Sequence, residues 1–113
     1  IVMGTGSEVT ICLEAAEQLT ADGVKVRVVS MPCCEWFDEQ DQAYRESVLP
    51  PSVTARVAVE AGIRQGWDRY IGSEGRFVGM SSFGASAPFQ ELYAHFGITA
   101  DNVAAEAKAA AGK

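Results

Sequence analysis

The chain has 113 residues, 48% of them hydrophobic and 21% charged, with 9 Lys and Arg against 15 Asp and Glu for a formal net charge of −6. That is one domain's length, enough to bury roughly two-thirds of the surface an unfolded chain exposes and so to hold a core without disulfides or metal. The apolar content excludes disorder, no apolar run approaches the ~20 residues of a membrane span, and the acidic balance argues against nucleic acid, whose phosphates are bound mainly by Lys and Arg.

Three cysteines, with Cys33 and Cys34 adjacent, make neither a disulfide framework nor a metal-ligand spacing. They suit a reducing cytosol, so a cytoplasmic location is expected. The chain opens at Ile1 on what reads as the end of a strand, without initiator Met or cap, and is expected to be a piece of a longer protein.

Ile1-Val2-Met3 is followed by a glycine turn, Gly4-Thr5-Gly6, and then by an amphipathic helix with Ser7 as its N-cap. Val9, Leu13, Ala16 and Leu19 recur at helical spacing with Cys12 on the same side, which predicts the buried stripe. Glu8, Glu14, Glu17 and Gln18 are expected to face largely away from it, and Asp22-Gly23 supplies the exit. Residues 24–31, rich in valine, are the second strand, stopped by Pro32 and buried on both faces at its end.

Residues 33–37 are expected as a loop, with Asp38 capping a polar helix to about Val48 whose inward positions are Tyr44 and Val48. Pro50-Pro51 then enforces extended backbone. A third strand over 53–61 precedes a helix with Ile63, Trp67, Tyr70 and Ile71 on one face. Residues 76–80 are the fourth strand, after which a small-residue loop leads into a helix presenting Phe89, Leu92, Tyr93 and Phe96. Thr99 caps a final alanine-rich helix to about Ala111.

Strands alternating with helices predict an α/β fold, a parallel sheet with right-handed crossovers and helices on both faces. Ligands of such sheets bind beyond the carboxyl ends of the strands. That rule draws a candidate small-ligand crevice at Gly4, Thr5, Gly6, Ser7, Glu60 and Ser82.

Gly4-Thr5-Gly6-Ser7-Glu8-Val9 invites a phosphate reading, because glycines admit close approach and a helix N-terminus attracts anions. A dinucleotide fingerprint needs glycine where Val9 stands, and Glu8 itself complements the helix dipole. A tight turn with a capped helix accounts for the same residues. Ser86 lies in an incomplete nucleophile elbow, and His95, the one histidine, is nearly three helical turns away. Ser86 therefore reads as a helix cap and His95 as a side chain favouring a helix C-terminus. Cys33 and Cys34 would close only a strained ring and read as small loop side chains, while Cys12 reads as core.

Glu60 is either an acid in the crevice or a carboxylate satisfied by amides of the following helix or by an arginine. Asp38, Glu39, Asp41 and Glu46 form a solvated acidic face. The residues by themselves compose no catalytic, cofactor-binding or metal-ligating constellation.

The order of segments is more specific than any short motif. Gly4-Thr5-Gly6-Ser7-Glu8-Val9 precedes Arg27-Val28-Val29-Ser30-Met31-Pro32, and Phe37-Asp38-Glu39-Gln40-Asp41 leads into Tyr44-Arg45-Glu46-Ser47-Val48-Leu49-Pro50. Ala55-Arg56-Val57-Ala58-Val59-Glu60-Ala61-Gly62 follows, then Gly79-Met80 with Phe83-Gly84-Ala85-Ser86-Ala87-Pro88, then Phe96-Gly97-Ile98-Thr99. Over practically the whole chain this order resembles the third, C-terminal domain of bacterial transketolases. The main departure is Cys33-Cys34, where many relatives carry other small or polar residues.

The resemblance implies a parent enzyme that moves a two-carbon ketol unit from a ketose phosphate to an aldose phosphate in the pentose phosphate pathway, using thiamine diphosphate and Mg. It implies a homodimer with the cofactor between the first domain of one subunit and the middle domain of the other, where the catalytic histidines and phosphate-gripping arginines also lie. No family catalytic or cofactor residue maps onto this chain. Residues 1–113 are then a C-terminal domain that partners the N-terminal and middle domains of its own chain, supports the dimer and is inactive alone. The implied architecture is a three-layer α/β/α sandwich. Related thiamine enzymes add an antiparallel first strand; if one precedes Ile1, this chain is the four-strand parallel remainder, in order 2-1-3-4.

Three alternatives stand beside this. One is the corresponding domain of another thiamine enzyme such as a dihydroxyacetone synthase. Another is an interaction module offering an apolar patch from Trp36, Phe37, Phe83 or Phe89. The third is a regulatory module that takes a metabolite in the crevice.

Overall fold

The computed structural model describes residues 1–6, 8–31, 34–60, 66–79 and 97–112. Four short strands, β1 (Val2–Gly4), β2 (Val28–Ser30), β3 (Val57–Val59) and β4 (Arg76–Val78), pair in parallel in the order β2-β1-β3-β4. Val2 lies opposite Val28 and Val57, and Val57 opposite Arg76. The central strands β1 and β3 are buried throughout, as their unbroken small and apolar runs require in a sheet covered on both faces.

Strand alternation divides the core in two. Val2, Val57, Val59 and Val78 point to the face covered by α1 (Glu8–Ala21) and the final helix, with Cys12, Ala15, Leu19, Val103 and Ala104. Met3, Val29 and Ala58 point to the other face, where they meet Met31, Leu49, Trp67, Tyr70 and Ile71, with Phe37 and Val48 packed alongside. That second layer is built from α2 (Cys34–Glu39), α3 (Gln42–Val48) and α4 (Asp68–Ile71); the final helix, α5, spans Ala100–Ala110. The result is the expected three-layer arrangement with its expected strand order.

Several local expectations change. In α1 the buried residues are Glu8, Cys12, Ala15 and Leu19, while Leu13 is 53% exposed and Val9 and Ala16 are half-buried. The stripe is rotated because α1 comes close to β1, and close approach favours small side chains at the contact over the larger ones that periodicity selects. Glu8, expected to face away, is turned inward.

Residues 24–27 and 53–56 precede the strands and touch the ladder at their ends, where the Arg27 and Arg56 carbonyls accept the Val2 and Arg76 N–H groups at 2.8 and 2.9 Å. The Val24 amide closes the end of α1 by donating to the Leu19 carbonyl at 2.9 Å, past Gly23 at φ +80°, so the predicted exit is also where the extra strand length is lost. Val53 donates to the Pro50 carbonyl at 3.0 Å in a turn.

The single polar helix expected from Asp38 is two helices, and the first occupies most of the expected loop. The residue that caps the second is Asp41, whose carboxylate accepts the Tyr44 N–H at 2.8 Å; Asp38 turns instead toward α4. Tyr44 is 51% exposed rather than inward, whereas Val48 packs on the core as expected. Thr99 caps α5 through the Asn102 N–H at 3.2 Å, and Trp67, Tyr70 and Ile71 are buried, both as expected. The expectations for Ser7, Pro32, Cys33, Ile63 and residues 80–96, which include Ser82, Phe83, Ser86, Phe89 and His95, lie outside the described residues.

Candidate functional site

Two places in the fold bring chemistry-bearing residues together. The first is the carboxyl edge of the central strands. Because β1 pairs with β3 and Gly4 lies opposite Val59, the Gly4-Thr5-Gly6 turn and Glu60 leave the sheet side by side. Of the predicted crevice, Gly4, Thr5, Gly6 and Glu60 are thus placed at one edge, while Ser7 and Ser82 lie outside the described residues.

The turn is built by two different uses of glycine. Gly6 has φ +56°, the left-handed region that glycine enters without strain. Gly4 is needed for space, since a Cβ there would stand 2.9 Å from Cys12 Sγ and 3.4 Å from the Val59 carbonyl oxygen. Glu8 is 6% exposed at the start of α1, where the helix dipole favours a carboxylate. Burial, and then the Glu8 charge, push the Cys12 thiol up to about 12. That keeps Cys12 a neutral core side chain and not a nucleophile.

Glu60 is half-buried, and its backbone N–H continues the sheet by donating to the Val78 carbonyl at 3.1 Å. Its carboxylate accepts the Trp67 indole N–H at 2.5 Å. Among the described residues its side-chain partner is therefore an aromatic donor at the head of α4. An indole can only donate, so Trp67 needs an acceptor where it is buried, and Glu60 supplies one.

The second place is a cleft of about 370 Å³ between α2–α3 and α4, which no sequence motif announces. Asp38 on α2 accepts the Tyr70 hydroxyl on both oxygens, at 3.0 and 3.1 Å, and pairs with Arg69 at 3.0 Å. Arg69 lies 4.9 Å from the Tyr70 ring centroid, while Phe37 and Trp67 meet the same ring edge-on at 5.9 and 5.8 Å. Arg56, entering β3, donates to the carbonyls of Val53 at 2.8 Å, Tyr70 at 2.7 Å, Leu49 at 3.2 Å and Pro50 at 2.8 Å. One guanidinium thus fastens the α3–β3 connection to the end of α4, and its partial burial lowers its pKa from the ordinary arginine value. Arg27 plays a smaller version of this part, donating to the Ser47 and Val48 carbonyls at the C-terminal end of α3.

Among the described residues no group of three or more His, Cys, Asp or Glu side chains is placed to hold a metal ion. Asp38 and Glu60 are matched to neutral or cationic donors already named. The described part of this chain therefore does not fit the Mg of a thiamine diphosphate site. No helix among the described residues is long and apolar enough to cross a membrane.

The family model for the transketolase-like TK C-terminal domain matches residues 1–99. The chain belongs to that family. Transketolase 1 of Escherichia coli strain K12 is 60% identical over 108 residues, which are 96% of this chain and 16% of that protein. Transketolase from Leishmania mexicana superposes with a TM-score of 0.91 at 45% identity, over 98% of this chain and 16% of its own. A split-gene transketolase described as an inactive beta4 tetramer superposes at 0.70 with 26% identity, over 96% of this chain and 38% of its own. The transketolase C-terminal domain seen here thus spans 16% of the length of the bacterial relative it matches. Its carboxyl-edge turn and its α2–α4 cleft both lie within the matched residues.

Proposed function

We propose that this chain is the C-terminal domain of a bacterial transketolase. The whole protein transfers a two-carbon ketol unit between sugar phosphates in the cytoplasm, as a homodimer that holds thiamine diphosphate and Mg in its N-terminal and middle domains. The observation that carries the proposal is the 60% identity confined to a 16% share of the relative. Residues 1–113 act as one domain, with any additional sheet strand supplied from upstream of Ile1, and their part is to pack on the other domains and support the dimer.

Two observations support a structural part for this domain. The acids nearest the cleft and the strand ends are engaged with Tyr70, Arg69 and Trp67. A comparable fold also occurs in the split-gene transketolase described as inactive. The test is direct: the purified chain with thiamine diphosphate, Mg²⁺, a ketose phosphate donor and an aldose phosphate acceptor gives no ketol transfer. Turnover by the chain alone overturns the proposal.

A second reading is favoured by the carboxyl edge, where Gly4, Thr5, Gly6 and Glu60 sit together. That edge suits a small regulatory ligand, as the rule for parallel sheets expects. Saturable calorimetric binding of a sugar phosphate, weakened by Glu60→Gln, supports it, and the absence of binding removes it.

A further inference from the structure

Of the chain's 9 Lys and Arg, three are arginines lining the cleft between α2–α3 and α4: Arg45, Arg56 and Arg69. In a chain of net charge −6 this is a local excess of positive charge, because the cleft's acids are two, Asp38 and Glu46. Both acids are occupied. Asp38 is held by the Tyr70 hydroxyl and Arg69, and Glu46 accepts the Gln42 side-chain amide at 2.9 Å.

The remaining arginines have no carboxylate among the described residues. Arg56 gives its donors to four backbone carbonyls, which satisfy geometry but do not cancel its charge. A guanidinium has five N–H groups, so one on Nη1 is left over. Arg45 is exposed on α3 and makes no hydrogen bond or ion pair with a described side chain. The wall beside these charges is apolar, formed by Phe37, the Tyr70 ring and Leu49, with the two rings meeting edge-on. At about 370 Å³ the cleft falls in the size range of small-molecule sites.

We propose that this cleft binds a small organic monocarboxylate. The carboxylate answers Arg45 and Arg56, and an apolar body lies against Phe37 and Leu49. A single negative charge matches the excess of one guanidinium over the acids, and a planar carboxylate matches the fork of an arginine. The site lies on the helical face of the sheet, apart from the carboxyl edge where the strand turns converge.

The test uses the full-length protein that carries this chain, with benzoate as the probe. Calorimetric titration with benzoate saturates, and the neutral isostere benzamide gives no measurable binding. Arg45→Ala, at an exposed helical position where alanine keeps the helix, weakens benzoate binding about ten- to a hundredfold, the loss expected for one charge-assisted contact. Glu46→Gln removes a competing negative charge and tightens binding several-fold, an effect of opposite sign that damage to the fold does not produce. Equal binding of benzoate and benzamide, or Arg45→Ala within twofold of the parent, overturns the proposal. So does inorganic phosphate that competes as well as benzoate, since charge without an apolar body then suffices.

Discussion

β1 and α1 pack closely at Gly4, which allows a quantitative test of how the helix is seated. Gly4 is buried and its φ lies outside the left-handed region, so alanine suits the backbone and only space opposes it. The added Cβ would stand 2.9 Å from Cys12 Sγ, inside normal contact, and 3.4 Å from the Glu8 carbonyl carbon and the Val59 carbonyl oxygen. Gly4→Ala alone is an overpacking change expected to cost about 1–3 kcal/mol. Cys12→Ala alone removes one buried atom and costs about 1 kcal/mol. In the double variant the new methyl at position 4 enters the space the sulfur leaves, and the pair should cost less than the sum by about 1 kcal/mol or more. Equilibrium urea unfolding of the four chains reads the coupling directly. Costs that add to within about 0.5 kcal/mol would refute the contact and, with it, the seating of α1 that buries Cys12 and leaves Leu13 exposed.

Two further outcomes follow from the same structure. Arg56→Lys exchanges a fork that reaches the carbonyls of Leu49, Pro50, Val53 and Tyr70 for a single ammonium, and should lower stability by about 2–4 kcal/mol in urea unfolding; a loss under about 0.5 kcal/mol contradicts its fastening role. The Cys12 thiol is raised from 9.0 to about 12 in the folded chain, so above pH 9 the unfolded chain gives up a proton that the folded chain keeps. Stability then falls with rising pH by about 1.4 kcal/mol per unit across that window, and is unaffected by this group below it. Cys12→Ala should therefore remove about 2 kcal/mol of the stability lost between about pH 8.5 and about pH 10.5, and identical pH slopes in the two chains contradict a buried thiol.

What was legible in the sequence follows the range of the forces involved. The parallel sheet came from strong local signals, valine runs and glycine turns, whereas its strand order came only from the family that the segment order resembles. The face of α4 was legible too, since Trp67, Tyr70 and Ile71 share a helical side whatever they pack against. The rotation of the α1 stripe was not, although Cys12 and Leu19 were placed on it, because hydrophobic periodicity weighs side-chain size, whereas the distance between α1 and β1 selected Ala15 over Leu13. Asp38 and Asp41 are equally good caps on paper. The choice between them was made by Tyr70 and Arg69, some thirty residues away, which claim the Asp38 carboxylate.

The candidate sites divide in the same way. The carboxyl-edge residues were named because a general rule about parallel sheets locates them. The α2–α4 cleft was missed because its residues come from four separate segments that meet only after two crossovers. Arg56 illustrates the difficulty: in the sequence it is one charge at the start of an apolar run, and only folding brings the Leu49, Pro50 and Tyr70 carbonyls to it.

Family membership and domain function are tested together by exchanging this chain for its counterpart in a working enzyme. The chain replaces the matching segment of Escherichia coli transketolase 1, and ketol transfer is assayed with thiamine diphosphate and Mg²⁺ beside the same enzyme truncated at the junction. Transfer by the chimera well above the truncated enzyme is the expected result. A chimera that folds and dimerises yet transfers no faster than the truncated enzyme would contradict it.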